Sequence, residues 1–289
     1  MLIVAVAGGL GNQMFQYAFY RKMKHLKKNI KIDALALWNE KSVAHNGYEL
    51  NRIFRLNVDF ANAIERAGFL GRKDLLSKVR QKFSPLKNTY SCQSDEEAIS
   101  FIAENFSFEN KYLLSYWQSE RYFEDISDEI RKDFSFPAFT DSENMALSDK
   151  IRSTNSVAIH IRRGDYVQLA NVKDICSLAY YKNAIRHIKE TVKDPVFYVF
   201  SNDIAWCEQN LAMEEAVFID HNKGKDSYKD MQLMSYCKHN IIANSSFSWW
   251  GAWLNNNPGK IVLAPDKWFE NTAGTKDIIP DSWIKISRV

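Results

Sequence analysis

Apolar residues open the chain in a short unbroken run and then recur at helical spacing. Residues 2–7 form that run and are closed by Gly8 and Gly9, a pattern that predicts a buried parallel strand. Met14, Phe15, Ala18, Phe19, Met23 and Leu26 then predict a helix over 12–28, and residues 30–37 predict the next strand. Residues 60–136 read as mostly helical and charged, including 122–134. Pro137 and the polar stretch 140–149 break this pattern and place a domain boundary near 137–153. Beyond it, strands are predicted over 156–161, 196–201, 216–220, 240–243 and 260–264. Helical patterns over 178–192, 204–211, 227–237 and 247–255 separate them. Strands alternating with helices predict a doubly wound parallel sheet. The chain thus divides into 1–150 and 151–289, an α/β protein of two Rossmann-like domains facing each other across a cleft. Ligands of such sheets sit at the carboxyl ends of the strands.

Composition narrows the class. At 289 residues, 46% hydrophobic and 25% charged, the chain is an ordinary globular protein with enough length for a real core. A formal charge of +3 excludes a strongly basic nucleic-acid binder on overall charge. The balance is uneven, however. Residues 1–90 hold 16 Lys and Arg against 6 Asp and Glu, whereas 91–150 hold 5 against 14. Solvated helix faces account for this; so does an electropositive face for an anionic partner. Arg21, Lys22, Lys24, Lys27 and Lys28 fall on or near one helix, and peripheral contact with an anionic membrane is the expectation they raise. Cys92, Cys176, Cys207 and Cys237 show no CxxC pair and no metal-like spacing with the six His, as expected of buried reduced thiols in a cytoplasmic protein. The opening run is too short for a signal peptide or a membrane span.

Four constellations carry chemistry. Gly8-Gly9-Leu10-Gly11-Asn12-Gln13 follows the first strand, and Asp33 lies about twenty residues on, which suggests a dinucleotide fingerprint; Met14 stands where its third glycine belongs. A loop that turns its backbone N–H groups and the amides of Asn12 and Gln13 toward a polar ligand fits better. His160-Ile161-Arg162-Arg163-Gly164-Asp165 ends a core strand, so two guanidiniums and an imidazole meet at the ligand edge, a cluster suited to phosphate oxygens. Asp203, after Ser201 and Asn202, can accept paired N–H bonds from a guanine edge or cap the following helix. Ser245 and Ser246 stand where a strand runs into a helix, a phosphate cradle, while Trp249, Trp250 and Trp253 read as core. With no Asp-x-Asp pair in the second half, a bound diphosphate is neutralised by arginine and helix N–H groups. That points to a metal-independent transferase using a sugar nucleotide, with neither metal nor cofactor.

Taken together, Gly8–Tyr17, Tyr116-Trp-Gln-Ser-Glu-Arg-Tyr-Phe123, His160–Asp165, Ser201–Asp203 and Asn244–Trp253 resemble the bacterial α-1,2-fucosyltransferases of glycosyltransferase family 11. The motifs span residues 8 to 253. The resemblance implies a GT-B fold with an N-terminal acceptor domain, a C-terminal donor domain and GDP-fucose in the cleft. By it, His160 and Asp203 hold guanine and Arg162 meets the β-phosphate with Arg163 beside it. Ser245, Ser246 and Phe247 line the phosphates, and Asn12 and Gln13 lie near the donor sugar. A glutamate base of α-1,6 relatives has no counterpart in Tyr166–Ala170; Asp165 is the candidate base here, with a base outside these motifs or a water relay as the alternatives. The implied reaction is inverting transfer of L-fucose from GDP-β-L-fucose to the 2-hydroxyl of a terminal β-galactoside. Its acceptor is a surface glycan, carried on a lipid at the inner membrane. Another GDP-sugar or linkage, an NAD-type oxidoreductase and a non-catalytic glycan-binding module are the competing readings.

Overall fold

The computed structural model describes residues 1–35, 46–70, 89–92, 94–164, 170–172, 175–211, 213, 216–272 and 275–288. They form two compact units, Met1–Ser135 and Phe136–Val289.

In the N-terminal unit, β1 (Leu2–Ala5), β2 (Ile30–Asp33), β3 (Thr89–Ser91) and β4 (Lys111–Leu114) make a parallel sheet of order β2-β1-β4-β3. The unbroken apolar run of β1 suits this central place, and Ile3 and Val4 are fully buried. Helix α1 (Leu10–His25) covers the sheet with Met14, Phe15, Ala18, Phe19 and Met23, each at 0% exposure. Two of these strands depart from the sequence-based expectation of a mostly helical 60–136. Their apolar content is small (Tyr112 and Leu113 are the buried residues of β4), so no alternation marks them. The helix expected over 122–134 is instead two 3-10 turns followed by α2 (Ser127–Asp133).

Among the described residues, much of the basic charge on and just beyond α1 is paired on folding. Arg21 meets Glu129 at 2.6 Å and Asp133 at 3.0 Å, Lys22 pairs with Asp125, Lys24 with Asp59, and Lys28 lies 3.7 Å from Glu109. Four of these five acids belong to the acidic stretch. Four of the five basic residues singled out on or near α1 thus meet acids inside their own unit, while Lys27 is exposed.

The C-terminal unit holds β5 (Asn155–Ile161), β6 (Pro195–Ser201), β7 (Val217–Ile219), β8 (His239–Ile241), β9 (Val262–Pro265) and β10 (Ile284–Ile286). All pair in parallel, in the order β10-β9-β8-β5-β6-β7. The five expected strands are present; β10, a three-residue edge strand, adds a sixth. Helices α3 (Ser142–Ser153), α4 (Leu178–Thr191), α5 (Ile204–Leu211), α6 (Tyr228–Tyr236) and α7 (Ser246–Trp253) complete the unit. The units divide at Ser135 rather than at residue 150, because the polar stretch 140–149 is the start of α3, not a linker. Asp141 caps that helix, accepting from Asn144 N at 2.8 Å.

Core strand β5 is buried on both faces, and α4 lays Tyr180, Tyr181, Ala184 and Ile188 against it. The expected core role of the tryptophans holds: Trp249 and Trp250 are fully buried, and Trp249 Nε1 donates to Ile278 O at 2.6 Å. All four cysteines are free; Cys207 and Cys237 are buried as expected, whereas Cys92 and Cys176 are only partly so. Among the described residues no helix is long and apolar enough to cross a membrane.

Candidate functional site

The carboxyl edge of the C-terminal sheet gathers most of the predicted residues. His160 is the penultimate residue of β5, 6% exposed, and Tyr181 Oη donates to its carbonyl at 3.0 Å, fixing the strand end. Burial, with the Arg162 charge adding to it, pushes the imidazole down to about 3, so the ring is neutral. Its Nδ1 is buried without a hydrogen-bond partner among the described residues. The Phe247 ring, from the first turn of α7, lies 5.7 Å away. A neutral imidazole with an unmatched nitrogen can donate to or accept from a ligand.

Arg162 follows β5 directly and is partly exposed. Arg163 is committed elsewhere. Its N–H donates to Asn202 Oδ1 at 3.0 Å, its Nε lies 3.3 Å from Asp203 Oδ2, and its guanidinium sits 3.9 Å over the Trp206 ring. Gly164 permits this lacing, since a Cβ there would stand 2.1 Å from Asn202 Nδ2. Asp203 also receives Trp206 N at 3.2 Å on Oδ1, which makes it the cap of α5. The cap, one of the two sequence readings of Asp203, is present. Both of its oxygens are engaged, and so is Arg163. Asp165 lies outside the described residues.

Helix α7 starts at Ser246 after an extended Ser245, whose hydroxyl does not cap it, and its first turn carries no acid. Asn244 holds the approach rigid: its Nδ2 donates to Trp268 O at 3.1 Å, and its N–H meets Cys176 Sγ at 3.3 Å. First-turn N–H groups without a side-chain cap, on a braced loop, suit an anion.

In the N-terminal unit, Gly8 takes a left-handed φ of +78°, and a Cβ there would lie 2.8 Å from Asn12 Nδ2. Asn12 is partly exposed and accepts from Gln118 Nε2 at 2.9 Å. Gln13 departs from the ligand-facing role expected of it. It is fully buried, donates to Gly8 O at 2.9 Å and Gly47 O at 2.8 Å, and accepts from Glu49 N at 2.9 Å. A buried amide so occupied is a brace. Asp33 is likewise internal, accepting from Tyr112 Oη at 2.8 Å and Leu35 N at 2.9 Å, which takes away the acid a dinucleotide reading needs.

Sequence reasoning missed Asp230, in the first turn of α6. Since α6 follows β7 and returns to β8, its start lies at the same carboxyl edge. Asn222 Nδ2 donates to its Oδ1 at 2.8 Å, and burial, with some help from Asp220, raises it to about 7. A helical stripe with buried Leu233, Met234 and Cys237 was the available signal, because it turns Asp230 inward. Among the described residues no three His, Cys, Asp or Glu converge on a metal-binding position.

Residues 86–287 match the model of glycosyl transferase family 11. An alpha-1,2-colitosyltransferase of Escherichia coli is 36% identical over 275 residues, covering 93% of this chain and 92% of its own. The galactoside alpha-(1,2)-fucosyltransferase 2 of Rattus norvegicus is 25% identical over 264 residues, covering 88% and 67%. In structure, the α-1,6-fucosyltransferase NodZ soaked with GDP-fucose superposes with a TM-score of 0.55 at 14% identity, over 91% of this chain and 94% of that one. That likeness is one of fold, an α/β architecture of GT-B type built from two parallel-sheet units.

Proposed function

The chain belongs to glycosyl transferase family 11, and on that premise we propose that it transfers L-fucose from GDP-β-L-fucose to the 2-hydroxyl of a terminal β-galactoside, forming an α-1,2 linkage. The observation that carries this reading is the carboxyl edge of the C-terminal sheet. There the neutral His160 with its unmatched Nδ1, the Arg162 guanidinium and the uncapped start of α7 offer the chemistry a nucleoside diphosphate asks for. In this reading the C-terminal unit takes the donor and the N-terminal unit the acceptor.

Guanine falls to His160 and a carboxylate. Asp203 spends one lone pair of each oxygen on Trp206 and Arg163, whereas among the described residues the Asp230 side chain accepts only from Asn222 and keeps its whole Oδ2 for the paired N–H donors of a guanine edge. Asp230 is therefore our choice, with Asp203 as the brace that ties Arg163 to the start of α5. The diphosphate takes the N–H groups of Ser246 and Phe247, the Ser245 hydroxyl and the Arg162 fork. As the bond from C1 to the β-phosphate oxygen breaks, charge gathers on that phosphate, and a forked donor there gains strength in the transition state specifically. The galactoside O2 then bonds to C1 from the opposite face, inverting it, and gives up its proton to a base. Asp165, three residues beyond Arg162, is the carboxylate we assign to that task. No metal enters this scheme.

A second donor has an observation in its favour. The E. coli relative is a colitosyltransferase, and colitose is fucose without its 3-hydroxyl. A site that hydrogen-bonds the 3-hydroxyl rejects the deoxy sugar by about 10⁴-fold or more, whereas one that merely tolerates it discriminates weakly. The deciding experiment offers the protein GDP-fucose and GDP-colitose in competition, with galactose-terminated saccharides and excess EDTA, followed by linkage analysis. Fucose in α-1,2 linkage is the expected product. Preferred colitose transfer moves the assignment to the second donor, and activity that needs added Mn²⁺ or Mg²⁺ overturns the metal-independent scheme.

A further inference from the structure

The turn after β4 carries two local costs that its own packing does not explain. Trp117 adopts a left-handed φ of +46°, a conformation bulky residues avoid. Its indole is 1% exposed and stacked on Phe19 at 4.3 Å, yet Nε1 has no hydrogen-bond partner among the described residues. Backbone strain and an unmatched buried donor persist only where surrounding contacts impose them, and such places are where function resides.

The surrounding contacts are specific. Gln16 Nε2 donates to Ser115 O at 3.1 Å, Gln118 N to Ala98 O at 3.0 Å, and Ser119 N to Trp117 O at 2.8 Å. Gln118, 6% exposed, donates from Nε2 to Asn12 Oδ1 at 2.9 Å. This bond occupies the acceptor atom of Asn12 and so decides which way its amide faces. With Trp117 and Gln118 turned inward, the reversal leaves Tyr116 outside. At 38% exposure it is the one exposed aromatic among the described residues. An accessible ring two residues from a fixed carboxamide pair, at the carboxyl edge of a parallel sheet, is built for a particular ligand chemistry. A pyranose presents a face of C–H bonds to a ring and hydroxyls to amides that both donate and accept. Galactose suits it well, because its axial O4 leaves C3–H, C4–H and C5–H together on one face.

We infer that residues 115–119 form the acceptor-saccharide platform of the N-terminal unit. Tyr116 carries the apolar face of a terminal β-galactoside, and Gln118 is a positioning residue that aims Asn12 at its hydroxyls. This rests on the reading of the protein as a galactoside-modifying transferase, so its test reads binding instead of turnover.

The experiment measures methyl β-D-galactoside binding to the full-length protein by saturation-transfer NMR, with methyl β-D-glucoside as the epimer whose O4 is equatorial. Wild type is expected to receive saturation at H3, H4 and H5 and to favour the galactoside. Tyr116→Ala and Tyr116→Leu weaken it about tenfold, as loss of a ring contact does, and Tyr116→Phe restores it. Gln118→Glu puts a second acceptor against Asn12 Oδ1, which lowers galactoside affinity and narrows the preference over glucoside. Binding by Tyr116→Leu within twofold of wild type, or no H3–H5 saturation in wild type, overturns the proposal. Galactoside binding through Tyr116 with no sugar transferred from any donor leaves the platform standing and sinks the functional reading instead.

Discussion

Asp203 and Arg163 bind the ends of two neighbouring strands to each other, Oδ2 to Nε at 3.3 Å, while the second Asp203 oxygen caps α5. Both side chains are about one-third exposed, so the pair itself contributes ~0–1 kcal/mol and the cap about 1 kcal/mol. Asp203→Asn keeps a cap acceptor and loses the ion pair. We expect a small fall in Tm and GDP affinity within about threefold of wild type, since lost surface pairs are worth little. Calorimetric titration with GDP checks this, and a collapse of affinity returns the guanine role to Asp203.

Asp230 should behave in the opposite way. Its carboxyl is raised to about 7 in the folded protein, against an unfolded value of about 4. The folded state thus holds the extra proton, and stability falls as pH rises from about 4 through about 7. Asp230→Asn removes that loss, so its Tm should exceed that of wild type at pH 8 and match it at pH 4. GDP affinity should drop about tenfold or more, as for a lost charged acceptor. The wild-type gain in GDP affinity between pH 6 and 8 should shrink in the variant. A variant that binds GDP normally removes Asp230 from the site.

His160 titrates with the reverse sign. Its folded value of about 3 lies below the unfolded value of about 6.5, so the unfolded chain binds the extra proton as pH falls. Stability is complete above pH 6.5 and is lost progressively toward pH 3. His160→Gln should flatten that acid limb in melts recorded from pH 4 to 7. If the limb is unchanged, the imbalance originates at another group.

Arg162 is expected to act on turnover. Arg162→Ala should lower kcat by about 10²–10⁴-fold with a smaller loss of GDP affinity, as removal of a donor aimed at developing charge does. Arg162→Lys should recover little, because a point charge cannot replace a fork. Near-normal kcat in the lysine variant would make Arg162 a general cationic presence and not a directed donor.

Ser245 offers a test of the α7 cradle. An ordinary capping serine costs about 0.5–2 kcal/mol when changed to alanine, but the Ser245 hydroxyl caps nothing. Ser245→Ala should leave Tm in place while raising the donor KM. A lower Tm with unchanged KM would mark the residue as structural.

How much of this the sequence disclosed followed from physics that acts locally. β5 and the core tryptophans were legible because long apolar runs need burial, and Gly8 because a left-handed turn needs glycine. Strand β4 was hidden because its partners, not its own residues, make it a strand. Gln13 has the polarity of a ligand-facing residue, yet burial against the carbonyls of Gly8 and Gly47 makes it a brace. Asp230 resembles any acid of a helix first turn until its stripe is compared with Leu233 and Met234. The charge split shows the same limit, since composition does not tell that Arg21 meets Glu129 and Asp133.

Strand β1 lies between β2 and β4, with Leu2 opposite Ile30 on one side and Lys111 on the other. Its second neighbour thus arrives about 110 residues later in synthesis. At the usual rate of about 5–20 residues per second, roughly 5–20 s pass before β4 leaves the ribosome. Arg21 waits longer still for Asp133. Throughout that interval the most apolar strand of the N-terminal unit carries an open edge, able to pair with any other strand it meets. Strand β1 is therefore made long before it can close, and the nascent chain is most vulnerable to misassembly until β4 has followed it.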